Sequence, residues 1–282
     1  MEFQKTKSAT VFVYILIFLS LFIVCYHATL AWMYIRCRGI DSYYSHAFLI
    51  PIVSAWLIWQ KRDQLKVLHP EISWLGLIII GFAALLHIFG TILYVFSVSG
   101  FSIFFLIIGT VLFLFGKEIT KAVAFPLAFL IFMFPLPLAV LTAIAFPLKV
   151  LAARTGVQIV EWFGIPVIRE GFNIIIPGGN LVVVGNPCSG LRSLIAFMAL
   201  GAVLAYLVDA SVPKKVILFL LSIPIAILSN IIRVPILILV SHYYGLKAAS
   251  PESVWHVATG MLVFIVGFML FLTASKCLRW QR

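Results

Sequence analysis

The sequence predicts an all-α polytopic membrane protein of about eight transmembrane helices, with a short outer-face β-hairpin and an interfacial helix set between two of them. Three observations predict it. Of the 282 residues, 63% are hydrophobic and only 10% charged, too few charges for a soluble domain of this length to cover its apolar surface. Several apolar runs reach the ~20 residues that a helix needs to cross a hydrocarbon core. One stretch, 142–188, departs from this pattern and carries both helical and β-type signals. The chain 1–282 therefore reads as a single integral-membrane domain, with 142–188 inserted at one face.

The expected spans are 11–34, 44–60, 74–94, 99–116, 121–141, 190–208, 214–243 and 254–275. The first follows Lys5 and Lys7 and runs past Cys25 toward Trp32 with no A-x-A cleavage site, so it reads as a retained span rather than a signal peptide. In AIAFPLKVLAARTGVQIVEWFG, apolar residues recur at helical spacing while Lys149, Arg154 and Glu161 break in. That suits a helix lying at the interface or packed against the bundle. In REGFNIIIPGGNLVVVGNP, the β-branched runs NIII and NLVVV flank PGG, which predicts a hairpin over 172–185. Its role is open between shielding a site and contacting a ligand. Arg169 and Glu170 read as solvated loop charges.

The net charge of +11 would suggest nucleic acid in a soluble protein, but here its distribution reports orientation. With the N-terminus inside, Lys5, Lys7, Lys61, Arg62, Lys66, Lys117, Lys121, Lys214, Lys215, Lys276, Arg279 and Arg282 all fall on inner segments. No nucleic-acid partner is implied. The hairpin, the start of span 190–208, the end of span 214–243 and the start of span 254–275 then share the outer face. The expected location is a bacterial-type inner (plasma) membrane, with the chemistry at its outer, periplasmic side.

Three pieces carry that chemistry. In GNPCSGLRSL, Asn186 suits an N-cap and Pro187 a first helical position, which would put Cys188 in the first helical turn. Unpaired amides and the helix dipole there favour a thiolate. Ser189 and Gly190 leave the sulfur accessible, and Arg192 lies one turn on. The bland alternative is a capped helix start with a packing cysteine. In LSNIIRVPILILV, Arg233 lies 19 residues beyond Lys214, about 28 Å along an outward-going helix. An arginine at that depth normally faces a polar cavity, and Asn230 at i−3 shares its face. In SPESVWHVATG, Ser250 or Ser253 can cap a helix whose first turns hold His256. A thiol, a guanidinium and an imidazole thus arrive at one depth from three consecutive spans, a set suited to acyl transfer through a thioester.

At these residues the chain resembles the exosortase/archaeosortase family of membrane cysteine transpeptidases. The likeness rests on PCSGLRSL around Cys188, NIIR ending at Arg233 and VWHVATG around His256, with DSYYSHAFLIPIVSAWLIWQKRDQL matching the family's Asp41–Ser45–His46 region. The resemblance implies Cys188 as nucleophile, His256 as acid/base and Arg233 as transition-state stabiliser. Arg192, Asn186, Asn230, Ser189 and His46 are the expected substrate-binding or supporting residues. It also implies membrane-anchored protein substrates with a C-terminal sorting signal: a short motif such as Pro-Glu-Pro, a membrane helix and a basic cluster. The cleaved protein would pass to a cell-surface acceptor of unknown identity. No cofactor and no metal site is expected, since no zinc pattern, phosphate loop or paired carboxylates appear.

Two rival readings remain at this stage. A Cys37–Cys188 disulfide would silence the nucleophile. A transporter or lipid-handling protein would use Arg233 and Arg192 to bind an anion, in spans interrupted by Pro224 and Pro235.

Overall fold

The computed structural model describes residues 2–39, 42–176, 180–185, 188–250 and 252–280. Among the described residues, six helices are long and apolar enough to cross a membrane: Leu16–Arg38, Trp74–Ile92, Phe96–Ala122, Leu138–Trp162, Val212–Tyr244 and Leu246–Cys277. Three shorter apolar helices accompany them, Leu49–Gln60, Ala124–Met133 and Leu191–Leu207. The elements run α1 (Glu2–Arg38), α2 (Leu49–Gln60), α3 (Arg62–Lys66), α4 (Trp74–Ile92), α5 (Phe96–Ala122), α6 (Ala124–Phe129) and α7 (Leu138–Trp162). Three strands follow, β1 (Ile168–Glu170), β2 (Asn173–Ile176) and β3 (Asn180–Val183). The chain closes with α8 (Leu191–Leu207), α9 (Val212–Leu220), α10 (Ser222–Tyr244) and α11 (Val254–Trp280).

The eight expected spans do not all become continuous membrane-length helices. The one expected at 44–60 is helical only from Leu49, and its 12 residues reach about 18 Å. The one expected at 121–141 breaks into α6 and a 3-10 turn, Leu130–Met133, followed by extended chain. Pro135 and Pro137 explain the stop: each lacks an amide hydrogen, and each pushes the residue before it out of the helical region. The stretch read as an interfacial helix is part of the 25-residue α7, which starts earlier, at Leu138. Leu141 and Ala145 of α7 pack with Leu191 and Ile195 of α8, while Ala152, Val157 and Val160 pack beneath the sheet and against α10.

The hairpin over 172–185 forms with Asn173 opposite Val183 and Ile176 opposite Asn180, and Pro177, Gly178 and Gly179 lie outside the described residues. β1 adds a third strand, antiparallel to β2. Arg169 and Glu170 therefore sit on an exposed strand rather than in a loop. Glycine at position 171 takes φ +65° and lets the chain reverse between β1 and β2. On the inner side of β2, Ile174 and Ile176 are buried against α7, α10 and the segment that holds Cys188.

α9 and α10 nearly form one helix, broken at Leu221. Restarting at Ser222 places Pro224 in the first turn, where its missing amide hydrogen has no partner to lose. Pro235 stays inside α10.

The closest helix pair in the first half is α4 with α5. A Cβ added at Gly76 would lie 2.3 Å from the Phe113 amide nitrogen, so the two backbones approach as only glycine permits. A Cβ at Gly81, one turn and a half further along α4, would meet nothing within 4 Å. Gly76→Leu should therefore destabilise the detergent-solubilised chain by about 1–3 kcal/mol of overpacking, seen as a lower thermal midpoint. Gly81→Leu should leave it unchanged or raise it.

Candidate thiol–imidazole site

Each site residue is placed by local backbone chemistry. α11 starts at Val254, and the Ser253 hydroxyl accepts a hydrogen bond from the His256 amide at 3.1 Å, a side-chain cap. This fixes the first turn from which the imidazole projects. Cys188 lies differently from the sequence expectation. α8 begins only at Leu191, so Cys188 sits in a tight turn ahead of the helix rather than in its first turn. The helix-dipole argument for its thiolate therefore loses its geometric basis. Asn186 and Pro187 lie outside the described residues.

Gly190 explains the later start. It takes φ +79°, a left-handed conformation, and a Cβ there would meet the Asn230 side-chain nitrogen at 2.8 Å. Ser189 is fully buried, and its hydroxyl accepts from the Leu191 amide at 3.2 Å, so it shapes the turn rather than opening a path to the sulfur.

The chain brings the three expected groups together. Cys188 Sγ lies 3.9 Å from His256 Nε2. His256 Nδ1 lies 3.4 Å from the Ala249 carbonyl oxygen, the long end of a hydrogen bond. A carbonyl only accepts, so the neutral imidazole carries its proton on Nδ1 and turns the Nε2 lone pair toward the thiol. Nucleophile, base and orienting acceptor thus stand in line, with a backbone carbonyl in the third place. Cys188 is 8% exposed and His256 6%, so both are shielded from bulk solvent. Among the described residues no disulfide joins Cys37 to Cys188, and the two belong to separate apolar clusters.

Asn230 and Arg233, one turn apart on α10, hold the two flanking backbones. Asn230 Nδ2 donates to the Cys188 carbonyl at 3.1 Å, and an Arg233 terminal nitrogen donates to the His256 carbonyl at 3.2 Å. Arg192 lines the same cavity as Arg233. Gly260 gives Arg233 its room, since a Cβ there would stand 3.4 Å from the guanidinium.

This arrangement lies in a stretch matched by the model of the transmembrane exosortase family, over residues 32–273. The chain belongs to the transmembrane exosortase family. Searches against curated proteins and against solved structures gave no match.

The family match spans the remaining expected residues as well. His256 and Arg233 line a cavity of about 910 Å³, together with Arg192 and His46. Cys188 does not line it; the imidazole stands on the cavity wall and touches the sulfur behind. Both ring nitrogens of His46 are buried without a hydrogen-bond partner among the described residues. In its neutral form this imidazole offers one donor and one acceptor. Asp41 lies outside the described residues. Sequence reasoning in this exosortase missed Ala249. It acts through its carbonyl, which leaves no side-chain signal to find.

The contact between sulfur and imidazole has a direct chemical readout. In a chain retaining Cys188 as its sole cysteine, His256→Ala should slow alkylation of the thiol by a small reagent at pH 7. The expected loss is about tenfold for each unit by which the imidazole favours the thiolate. An unchanged rate would show the two groups to be uncoupled.

Proposed function

We propose that the chain is a membrane-embedded cysteine transpeptidase that cleaves C-terminal sorting signals through a thioester on Cys188. The observation that carries this reading is the alignment of Cys188 Sγ, His256 Nε2 and the Ala249 carbonyl, in a member of the exosortase family. His256 takes the thiol proton as the sulfur attacks the scissile carbonyl, and returns it to the leaving amine. That releases the tail and leaves an acyl-thioester. The acceptor nucleophile then gives a proton to His256, attacks the thioester and expels the thiolate, which takes that proton from His256 and so regenerates the site. Arg233 stabilises the oxyanion in both steps, aided by the low dielectric of a buried pocket. Arg192 and His46 bind the recognition motif, a short segment of Pro-Glu-Pro type. Asn230 and Ser189 keep the cysteine turn in place, and Asn186 has the same supporting role in this proposal.

The substrate is a membrane-anchored protein whose tail has the motif, one membrane helix and a basic end, and a cell-surface acceptor receives it. The distribution of lysine and arginine supports a site on the outer side of the inner membrane, where such a tail presents its motif while its basic end stays inside. A transporter or lipid-handling reading would use Arg192 and Arg233 to hold an anion in the same cavity. It leaves the thiol–imidazole contact without a purpose.

The test is the size of a reporter carrying such a tail, followed in membranes that hold correctly inserted variants. Cys188→Ala and Cys188→Ser should each abolish processing, by at least ~10³-fold. Arg233→Lys keeps the charge but loses the planar fork and should cost about 10²-fold. Processing that survives Cys188→Ala in correctly inserted chains would overturn the thioester mechanism, and no processing by the unaltered chain together with Arg233-dependent binding of an anion would favour the transporter reading.

A further inference from the structure

The cavity beside the thiol is much longer than a peptide bond requires. Its polar end holds His46, Arg192, Arg233 and His256, and from there it runs down α8 as far as Val203 and down α11 as far as Ile265, with α2 as its third wall. Arg192 to Val203 is 11 residues of helix, about 16 Å. That is half of the ~30 Å thickness of a hydrocarbon core. Beyond the polar end the lining is apolar.

Its walls have the form of a seat for a helix. On α8 the lining positions include Arg192, Ala196, Ala199 and Val203, with Ser193 and Leu200 beside them, so they follow one helix face; on α11 Val257, Gly260, Met261 and Phe264 do the same, widened by Val263 and Ile265 at the lower end. Two stripes of this kind, on helices that flank an open cleft, are what a third helix meets when it packs side chains into holes. Ala196, Ala199 and Gly260 are small, and small residues are what let helix backbones approach inside a membrane, where apolar packing alone gives no preference over lipid. Val257 and Phe264 are about half exposed, at 56% and 45%, although Phe264 also stacks on Phe197 of α8 at 5.0 Å, so this side of α11 is only partly covered by the chain itself.

We infer that this cleft between α2, α8 and α11 docks the first three turns of the sorting tail's membrane helix. This rests on the transpeptidase reading for the identity of its occupant. The polarity of the cleft matches such a tail in order: a polar segment at the histidine–arginine end, then a helix below it. A helix seated along Ala196, Ala199 and Val203 delivers the residues before its N-terminus to His256 and Arg233. The site then measures the distance between the scissile bond and the start of the membrane helix. An acyl chain fits the apolar surface but has no use for paired stripes at helical spacing.

The experiment places a photo-crosslinking residue at Val203, at Phe264, or at Ile78 of α4, which is 68% exposed and remote from the cleft. The full-length chain carries Cys188→Ala, so the tail is not consumed. The probe is a reporter with a Pro-Glu-Pro segment, an apolar helix of about 20 residues and a basic cluster. Crosslinks to the tail helix from positions 203 and 264, at least tenfold above those from 78, are the expected result. Equal crosslinking from all three positions, or crosslinks from 203 and 264 to phospholipid alone, would overturn it. Moving the motif away from the helix by inserted residues should reduce processing by the otherwise unaltered chain while the crosslinks persist. Processing that ignores such insertions would likewise overturn the inference and spare the transpeptidase reading. Crosslinks with no processing by the chain that retains Cys188 would do the reverse, leaving a docking site without the chemistry.

Discussion

The site depends on one helix holding two backbones. Asn230 and Arg233 are three residues apart on α10, and each donates to a carbonyl that α10 does not own: Cys188 for the first, His256 for the second. Those two carbonyls belong to the residues whose side chains must meet. A buried carbonyl without a donor costs about 1–3 kcal/mol, so the two bonds fix the turn before α8 and the start of α11 against a common rail. The 3.9 Å contact between sulfur and imidazole is held by this double attachment, and α8 also packs directly on α11 through Phe197, Phe264 and Phe271. Arg233 thus has a structural duty as well as the electrostatic one proposed for it, and its loss must be read through both.

Around the rail, the chain builds a dry floor. Ile174 and Ile176 of the sheet, Ala152, Val157 and Val160 of α7, and Val234 and Ile238 of α10 pack with Cys188 in one cluster. The sheet therefore packs over the cysteine turn, and none of its residues lines the cavity. Water is excluded behind the sulfur, while the imidazole alone connects it to the cavity in front. Such a layout strengthens every charge interaction at the site. In the proposed reaction, a substrate carbonyl would reach the sulfur as His256 shifts modestly, as apo catalytic contacts commonly do.

Much of this was legible in the sequence, for identifiable reasons. Long apolar runs announce helices whatever surrounds them, so α1, α4, α5, α10 and α11 fall where hydropathy puts them. NIII and NLVVV around PGG announce the β2–β3 pairing because both arms and the glycines favour it locally. Asn230 was readable as a partner on the Arg233 face from spacing alone. What failed was decided by tertiary context. The helix start at Leu191 turns on Gly190 in a left-handed conformation beside Asn230, whereas NP before Cys188 advertises a cap. The break at 130–137 reflects prolines that average hydropathy ignores. β1 is three residues, two of them charged, that become a strand only because β2 offers an edge. Ala249 contributes a carbonyl, and no side chain reports it.

The central claim is that Cys188 becomes covalently attached to the shortened substrate. The most direct measurement is the intact mass of the full-length chain mixed with a tail-bearing substrate and quenched in acid, followed by mapping of the adduct. The account predicts a mass increase equal to the cleaved product, carried on the peptide that contains Cys188 and released by hydroxylamine. Cleavage of the tail with no adduct at any time point, or with an adduct on a different residue, would contradict it.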